Sequence, residues 1–283
     1  MNKSFYENMI VWGMRLLTYS VVFVVAYIIL DIVWKGLPVI NWEFLSAFPR
    51  KSGEEGGILP AIAGTLFLVM GTILVALPLG MASAIYLTEY ARQGRFTNIV
   101  RLAIVTLAGV PSIVYGLFGL GLFVIFLKFG TSIVSGSLTL ACMVLPIIIV
   151  TSEEALKSVP QNLREGSLAL GATKWQTIYK NVLPYSIPGM LTGSILAVGR
   201  AAGETAPILL TAAAFFLPHL PTSIFDQVMA LPYHLYVLAT QHPDIEKVRP
   251  MQYGTALVLI ALVLGFNTVA IFMRIQLRKK YRW

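Results

Sequence analysis

Arg200 and Glu204 are opposite charges four residues apart in an apolar run that begins near Leu183. Spacing of four puts both on one face if the run is a helix. A charge at the centre of a membrane span costs about 2.5 to 3.5 kcal/mol on insertion scales. The cost falls where the group faces protein or a water-filled cavity, so intramembrane ions mark substrate pathways. Arg ahead of Glu is the weaker order for a simple helix pair, which argues against a purely structural bridge. A guanidinium offers a planar fork of donors to phosphate-like oxygens. A neighbouring carboxylate repels a fully deprotonated anion. It can accept a hydrogen bond from an anion that keeps a proton, as phosphate does near neutral pH and sulfate does not.

A second polar stretch, 159–182, precedes this run. Leu163, Leu168, Leu170, Trp175 and Ile178 recur at mixed three and four spacings among Arg164, Glu165, Lys174 and Lys180. That pattern predicts one or two short amphipathic helices at a membrane surface. A water-facing segment therefore feeds into a span that holds a charge pair.

The elements that must position these residues are membrane spans. Of the 283 residues, 57% are hydrophobic and 12% charged, against about 25% charged in a soluble domain. A span needs roughly 20 apolar residues. Six stretches qualify, about Met9 to Val33, within Gly56 to Thr88, Leu102 to Leu127, Phe129 to Ser152, from near Leu183, and Met251 to Met273. With the N-terminus inside, fourteen Lys and Arg fall on inner segments and six on outer ones. Basic residues favour the inside, so both termini are expected in the cytoplasm, and the net charge of +8 implies no nucleic acid. No small-residue cleavage pattern follows the first apolar segment, which is read as a retained span.

Proline punctuates the spans at Pro78, Pro111, Pro146, Pro188 and Pro207, and Gly109, Gly116, Gly119 and Gly121 surround Pro111. These residues serve close helix packing or breaks that let a pathway open. Phe215 to Pro250 reads as a structured outer loop. Its histidines, His219, His234 and His242, stand 15 and 8 residues apart, a spacing that assembles no metal site. Cys142 reads as packing, and Glu153-Glu154 as a helix cap and polar anchor at the inner end of span four. No Gly-x-x-x-x-Gly-Lys-Ser/Thr loop occurs, no catalytic constellation stands out, and no cofactor is implied.

Glu165-Gly-Ser-Leu-Ala-Leu-Gly171, nine residues, then Asn181-Val-Leu-Pro184 resembles the signature loop of type I ABC importer permeases. Glu165, Gly171, Leu183 and Pro184 match that loop. Gly166 and Ser167 stand where it has two alanines, and Asn181 where it has isoleucine. Gly56 to Thr65, Leu77-Pro-Leu-Gly80, Tyr86 to Ala91, Gly109 to Gly119 and Arg200-Ala-Ala-Gly-Glu-Thr-Ala-Pro207 are similar to phosphate permeases of the PstA type.

The resemblance implies an all-α polytopic permease of six spans, a single domain over 1–283. Its core is expected at 59–275, and a cytoplasmic coupling loop at 159–182. It implies a subunit in the plasma (inner) membrane that moves inorganic phosphate inward by alternating access. Its partners would be a second related permease, two cytoplasmic ATPase subunits, an external phosphate-binding protein and membrane lipid. The subunit itself would hydrolyse nothing. Arg200, Glu204 and Thr205 carry over as pathway residues. Glu165, Gly166, Ala169, Gly171, Leu183 and Pro184 carry over as the coupling contact. The rival readings are a permease for molybdate or sulfate, an ion-driven transporter without an ATPase, and a membrane scaffold or sensor.

Overall fold

A computed structural model describes residues 3–217 and 219–280. Twelve α-helices make up most of it, α1 (Lys3–Gly36), α2 (Trp42–Ser46), α3 (Leu59–Ile85), α4 (Arg95–Ala108), α5 (Ser112–Gly119), α6 (Ile133–Lys157), α7 (Gln161–Ala169), α8 (Lys174–Thr177), α9 (Leu183–Gly203), α10 (Ala206–Thr211), α11 (Leu231–Thr240) and α12 (Ile245–Lys280). Wider π turns extend α3 over Tyr86–Tyr90, α5 over Leu120–Phe126, and join α8 to α9 over Ile178–Val182. A two-residue hairpin, β1 (Pro49–Arg50) and β2 (Glu55–Gly56), is the one sheet among the described residues.

Five helical stretches are long and apolar enough to cross a membrane, Glu7–Val39, Leu59–Tyr90, Ile133–Lys157, Lys174–Gly203 and Ile245–Leu277. The expected third span, Leu102 to Leu127, is not one helix. Arg95–Ala108 and Ser112–Phe126 meet at 104°. Pro111 has no N–H and disfavours helical geometry at Val110, and Gly109 ends α4. The fourth span starts at Ile133 rather than Phe129, because Lys128 and Gly130 take φ of 57° and 67° and the Ser132 side chain caps the Ser135 N–H. The last span begins earlier than expected, at Ile245, with Pro250 near its start.

α3, α6 and α9 pack in sequence at the centre, α12 lies on α9, and α1 lies on α12. Three tiers of core stack along them. The middle tier joins Leu68, Tyr115, Leu140, Met143, Ile148, Ala197 and Ile208. One end tier joins Leu87, Leu156, Val159, Val182 and Met190 beside the 161–177 loop. The opposite tier joins Phe44, Ile58, Met229, Leu231 and Leu238. There the expected outer loop is ordered by α11, and the Thr65 hydroxyl accepts a hydrogen bond from the Leu231 N–H at 2.9 Å.

His234 of α11 is buried in this tier, its ring stacked 5.8 Å from Phe215. Among the described residues neither ring nitrogen has a partner. Burial pushes its pKa from 6.5 down to about 4. The unfolded chain thus binds a proton that the folded chain refuses as pH falls from 6.5 towards 4. The folded state is expected to lose roughly 3 kcal/mol across that window, with no further loss from this group at lower pH. Thermal unfolding at pH 7 and pH 4.5 checks this. His234→Phe should shrink the difference. No three His, Cys, Asp or Glu side chains converge on a metal site among the described residues.

Candidate functional site

Arg200 occupies the last turn of α9, and Glu204 lies just past its end. Pro207 sets that end, because its ring would collide with the carbonyl four residues earlier, that of Gly203. Glu204 accordingly adopts extended backbone, φ −77° and ψ 133°. The expected shared helix face is therefore replaced by a contact across a helix terminus. The Arg200 Nε donates to the Glu204 Oε1 at 3.3 Å. Their side chains are 33% and 17% exposed, so the pair is half-sheltered and still reachable. A cation is also favoured at a helix C-terminus, where unpaired carbonyls point outward. Thr205 follows in the bridge to α10, half-buried. The span thus neither continues nor simply ends after Glu204. It breaks and restarts as a six-residue helix.

The α4–α5 elbow buttresses this break. A Cβ on Gly116 would lie 3.0 Å from the Ala206 carbonyl and 3.1 Å from the Pro207 Cα, so α5 rests on the backbone of α10. Tyr115 lies within electrostatic reach of Arg200 and donates across the elbow to the Leu107 carbonyl at 2.9 Å. Gly119 gives room to Thr139, while Gly121 meets nothing within 4 Å. Close packing therefore accounts for Gly116 and Gly119 and leaves Gly121 unused.

The second candidate region, 159–182, folds as two short helices, as its periodicity predicts. α7 ends in a Schellman motif, with the Ala172 N–H on the Ser167 carbonyl and the Gly171 N–H on the Leu168 carbonyl. This needs a left-handed residue, and Gly171 has φ 84°. α8 opens with a capping box between Thr173 and Gln176, a local signal the sequence reading missed. Glu165, Gly166 and Ala169 are exposed on α7, and Leu170 is 91% exposed beside them. Leu183 and Pro184 lie two turns away, half-buried at the start of α9. The named residues thus divide into a solvent-facing set and a set that anchors the following span.

Several anchors here carry no sequence motif. Arg164 donates to Glu89 of the α3 π turn. Arg101 and Lys157 both pair with Glu153, at 3.1 and 2.9 Å. Glu153 is thus a buried ion-pair hub rather than a helix cap. Asn181 Nδ2 donates to the Ser167 hydroxyl at 2.9 Å, and Ser167 exchanges a further hydrogen bond with Thr177. These are two of the three positions where the loop departs from the type I pattern.

Comparison with known proteins agrees with this architecture. Residues 76–283 match the family described as Binding-protein-dependent transport system inner membrane component. A probable phosphate transport system permease protein PstA of Methanocaldococcus jannaschii is 36% identical over 88% of this chain and 86% of its own. A probable ABC transporter permease protein YqgI of Bacillus subtilis is 33% identical over 90% and 89%. The PstA of Haemophilus influenzae is 34% identical over 75% and 76%. Among solved structures, a bacterial ABC transporter involved in alginate import superposes with a TM-score of 0.67. It is 16% identical, over 97% of this chain and 98% of that one, and so supports the fold alone. Chain-long relatedness, a bundle of five apolar helices plus a bent pair, and the match over 76–283 lead to one assignment. The chain belongs to the binding-protein-dependent transport system inner membrane components, among the PstA-type permeases.

Proposed function

We propose that this chain forms one half of the membrane pathway of an ATP-driven importer of inorganic phosphate. Chain-long similarity to PstA permeases supports the substrate. The observation that carries the site is the half-exposed Arg200–Glu204 pair at a broken helix end. There the guanidinium supplies anion donors and the carboxylate supplies an acceptor for the proton that phosphate retains. A second related permease completes the pathway. Two ATPase subunits sit on the cytoplasmic face, one of them taking the exposed face of α7 with Glu165, Gly166 and Ala169, and an external phosphate-binding protein delivers the substrate. Both termini then lie in the cytoplasm, with the bent pair counted as one crossing.

Uptake of labelled phosphate by vesicles holding the full complex tests this, with sulfate and molybdate as competitors. Native complex should take up phosphate only with ATP and ignore the competitors. A site built to pair a substrate hydroxyl rejects analogues that lack one. Glu204→Gln should therefore lower phosphate uptake by about 10-fold and weaken discrimination against sulfate. Normal uptake and selectivity in Glu204→Gln would remove the acceptor role. Preferred uptake of molybdate or sulfate would assign another oxyanion.

A further inference from the structure

The cytoplasmic segment is tied to α3 by side chains that lie outside its signature pattern. Arg164 on α7 gives its Nε and Nη2 to one Glu89 oxygen, at 3.3 and 3.0 Å. Its Nη1 donates to the Val159 carbonyl at 2.6 Å, and Nη2 also to the Leu156 carbonyl at 2.8 Å, both beside the end of α6. One guanidinium therefore joins α7, α6 and α3. The two side chains are 14% and 9% exposed, across 75 residues of sequence. Glu89 belongs to the π turn that closes with the Ala91 N–H on the Tyr86 carbonyl. Such turns recur at functional sites. On the same turn, the Lys174 ammonium of α8 lies 5.0 Å from the centre of the Tyr90 ring. Each helix of the segment thus sets one cation on the last turn of α3. A cleft of about 630 Å³ opens beside these contacts, and Glu89, Arg164 and Lys174 form part of its wall together with Thr88, Gln161 and Leu168. Beside the two cations, Leu163 of α7 packs against the end tier that holds Ala84 and Leu87.

We propose that Glu89 and Arg164 are positioning residues that carry motion of the docking segment directly into α3. The inference rests on the coupling role given to α7 above. Without the pair, α7 keeps only the non-directional apolar contact of Leu163 to this end of α3, and its displacement passes mainly along the chain into α9. With it, α3 moves with α7. The far end of α3 holds the outer tier through Thr65 and Leu231, so a push at the cytoplasmic face reaches the outer loop in one element. Removing one member of a buried pair leaves the other charge uncompensated, which is the costly case.

The test uses the complete transporter with its ATPases and phosphate-binding protein, in lipid nanodiscs and in vesicles. Glu89→Gln should speed amide hydrogen exchange over 161–170 by at least about 10-fold, because exchange reports local opening. It should also lower the phosphate moved per ATP hydrolysed by about 5-fold or more, since ATP turnover persists while coupling fails. Arg164→Lys keeps the charge without the fork and should fall between native and Glu89→Gln on both readouts. Unchanged exchange, an unchanged phosphate-to-ATP ratio, or loss limited to failed assembly would each overturn the proposal. A native complex that moves no phosphate would instead remove the functional reading, and the exchange measurement would still decide whether the clasp holds α7.

Discussion

Arg200→Gln is expected to reduce ATP-driven phosphate uptake by roughly 30-fold to several thousand-fold, with the complex still assembled. The range corresponds to the about 2 to 5 kcal/mol lost when one partner of a hydrogen-bonded charge pair is truncated, and the partial exposure of this pair places the expected loss towards the lower end. Among the described residues the hydrogen bond to Glu204 uses Nε, and no hydrogen bond engages the two terminal guanidinium nitrogens. They remain for an anion. Glutamine keeps a donor but loses the charge. Glu204 is then an unopposed carboxylate on the proposed anion path. Arg200→Lys should retain part of the uptake, because a point charge replaces a planar fork. Uptake by the three forms, with co-purification of the other subunits as the assembly control, separates the roles. Normal uptake in Arg200→Gln would reduce the pair to a structural contact.

Gly193→Val is expected to deplete the folded chain from the membrane. Gly189 and Gly193 let α9 lie against α6. A Cβ at Gly193 would stand 1.7 Å from the Thr151 Oγ1 and 2.5 Å from its Cβ. A change of rotamer moves the hydroxyl, which donates to the Ile147 carbonyl at 2.7 Å, but not the Cβ. The helices must separate. Overpacking costs about 1 to 3 kcal/mol, occasionally more, and helices in lipid depend on close backbone approach. Arg200 lies seven residues further along α9, about 10 Å, so the pair shifts with the helix. Thermal melting in detergent should show little native chain for Gly193→Val. Moving the small residue across the interface, as Thr151→Gly with Gly193→Ala, should recover most of it. Native melting of Gly193→Val would contradict this α6–α9 contact.

Hydropathy located the spans because membrane insertion depends on the composition of a window, which any order of residues satisfies. The same averaging hid the elbow at Val110, since a 104° bend changes no residue count. Pro111 was visible, but its effect depends on Gly116 having the α10 backbone to lean on. At the charge pair, spacing correctly put Arg200 and Glu204 in contact and misjudged the backbone between them. Pro207 carried that information four residues downstream. In the 159–182 segment, Gly171 and the Thr173–Gln176 box are local signals visible in the sequence. Glu89 and Arg164 are not, because no short-range pattern connects residues 75 apart.

The hydrogen bond between Ser167 and Asn181 makes two sites inherit as one. Type I permeases fill these positions with alanine and isoleucine, which need nothing polar opposite. Here each substitution supplies what the other lacks. Isoleucine at position 181 alone would leave the Ser167 hydroxyl with Thr177 as its remaining side-chain partner. Alanine at position 167 alone would leave the Asn181 amide without this acceptor. The permissive route between the two states runs through both changes together, so the positions should covary along this lineage.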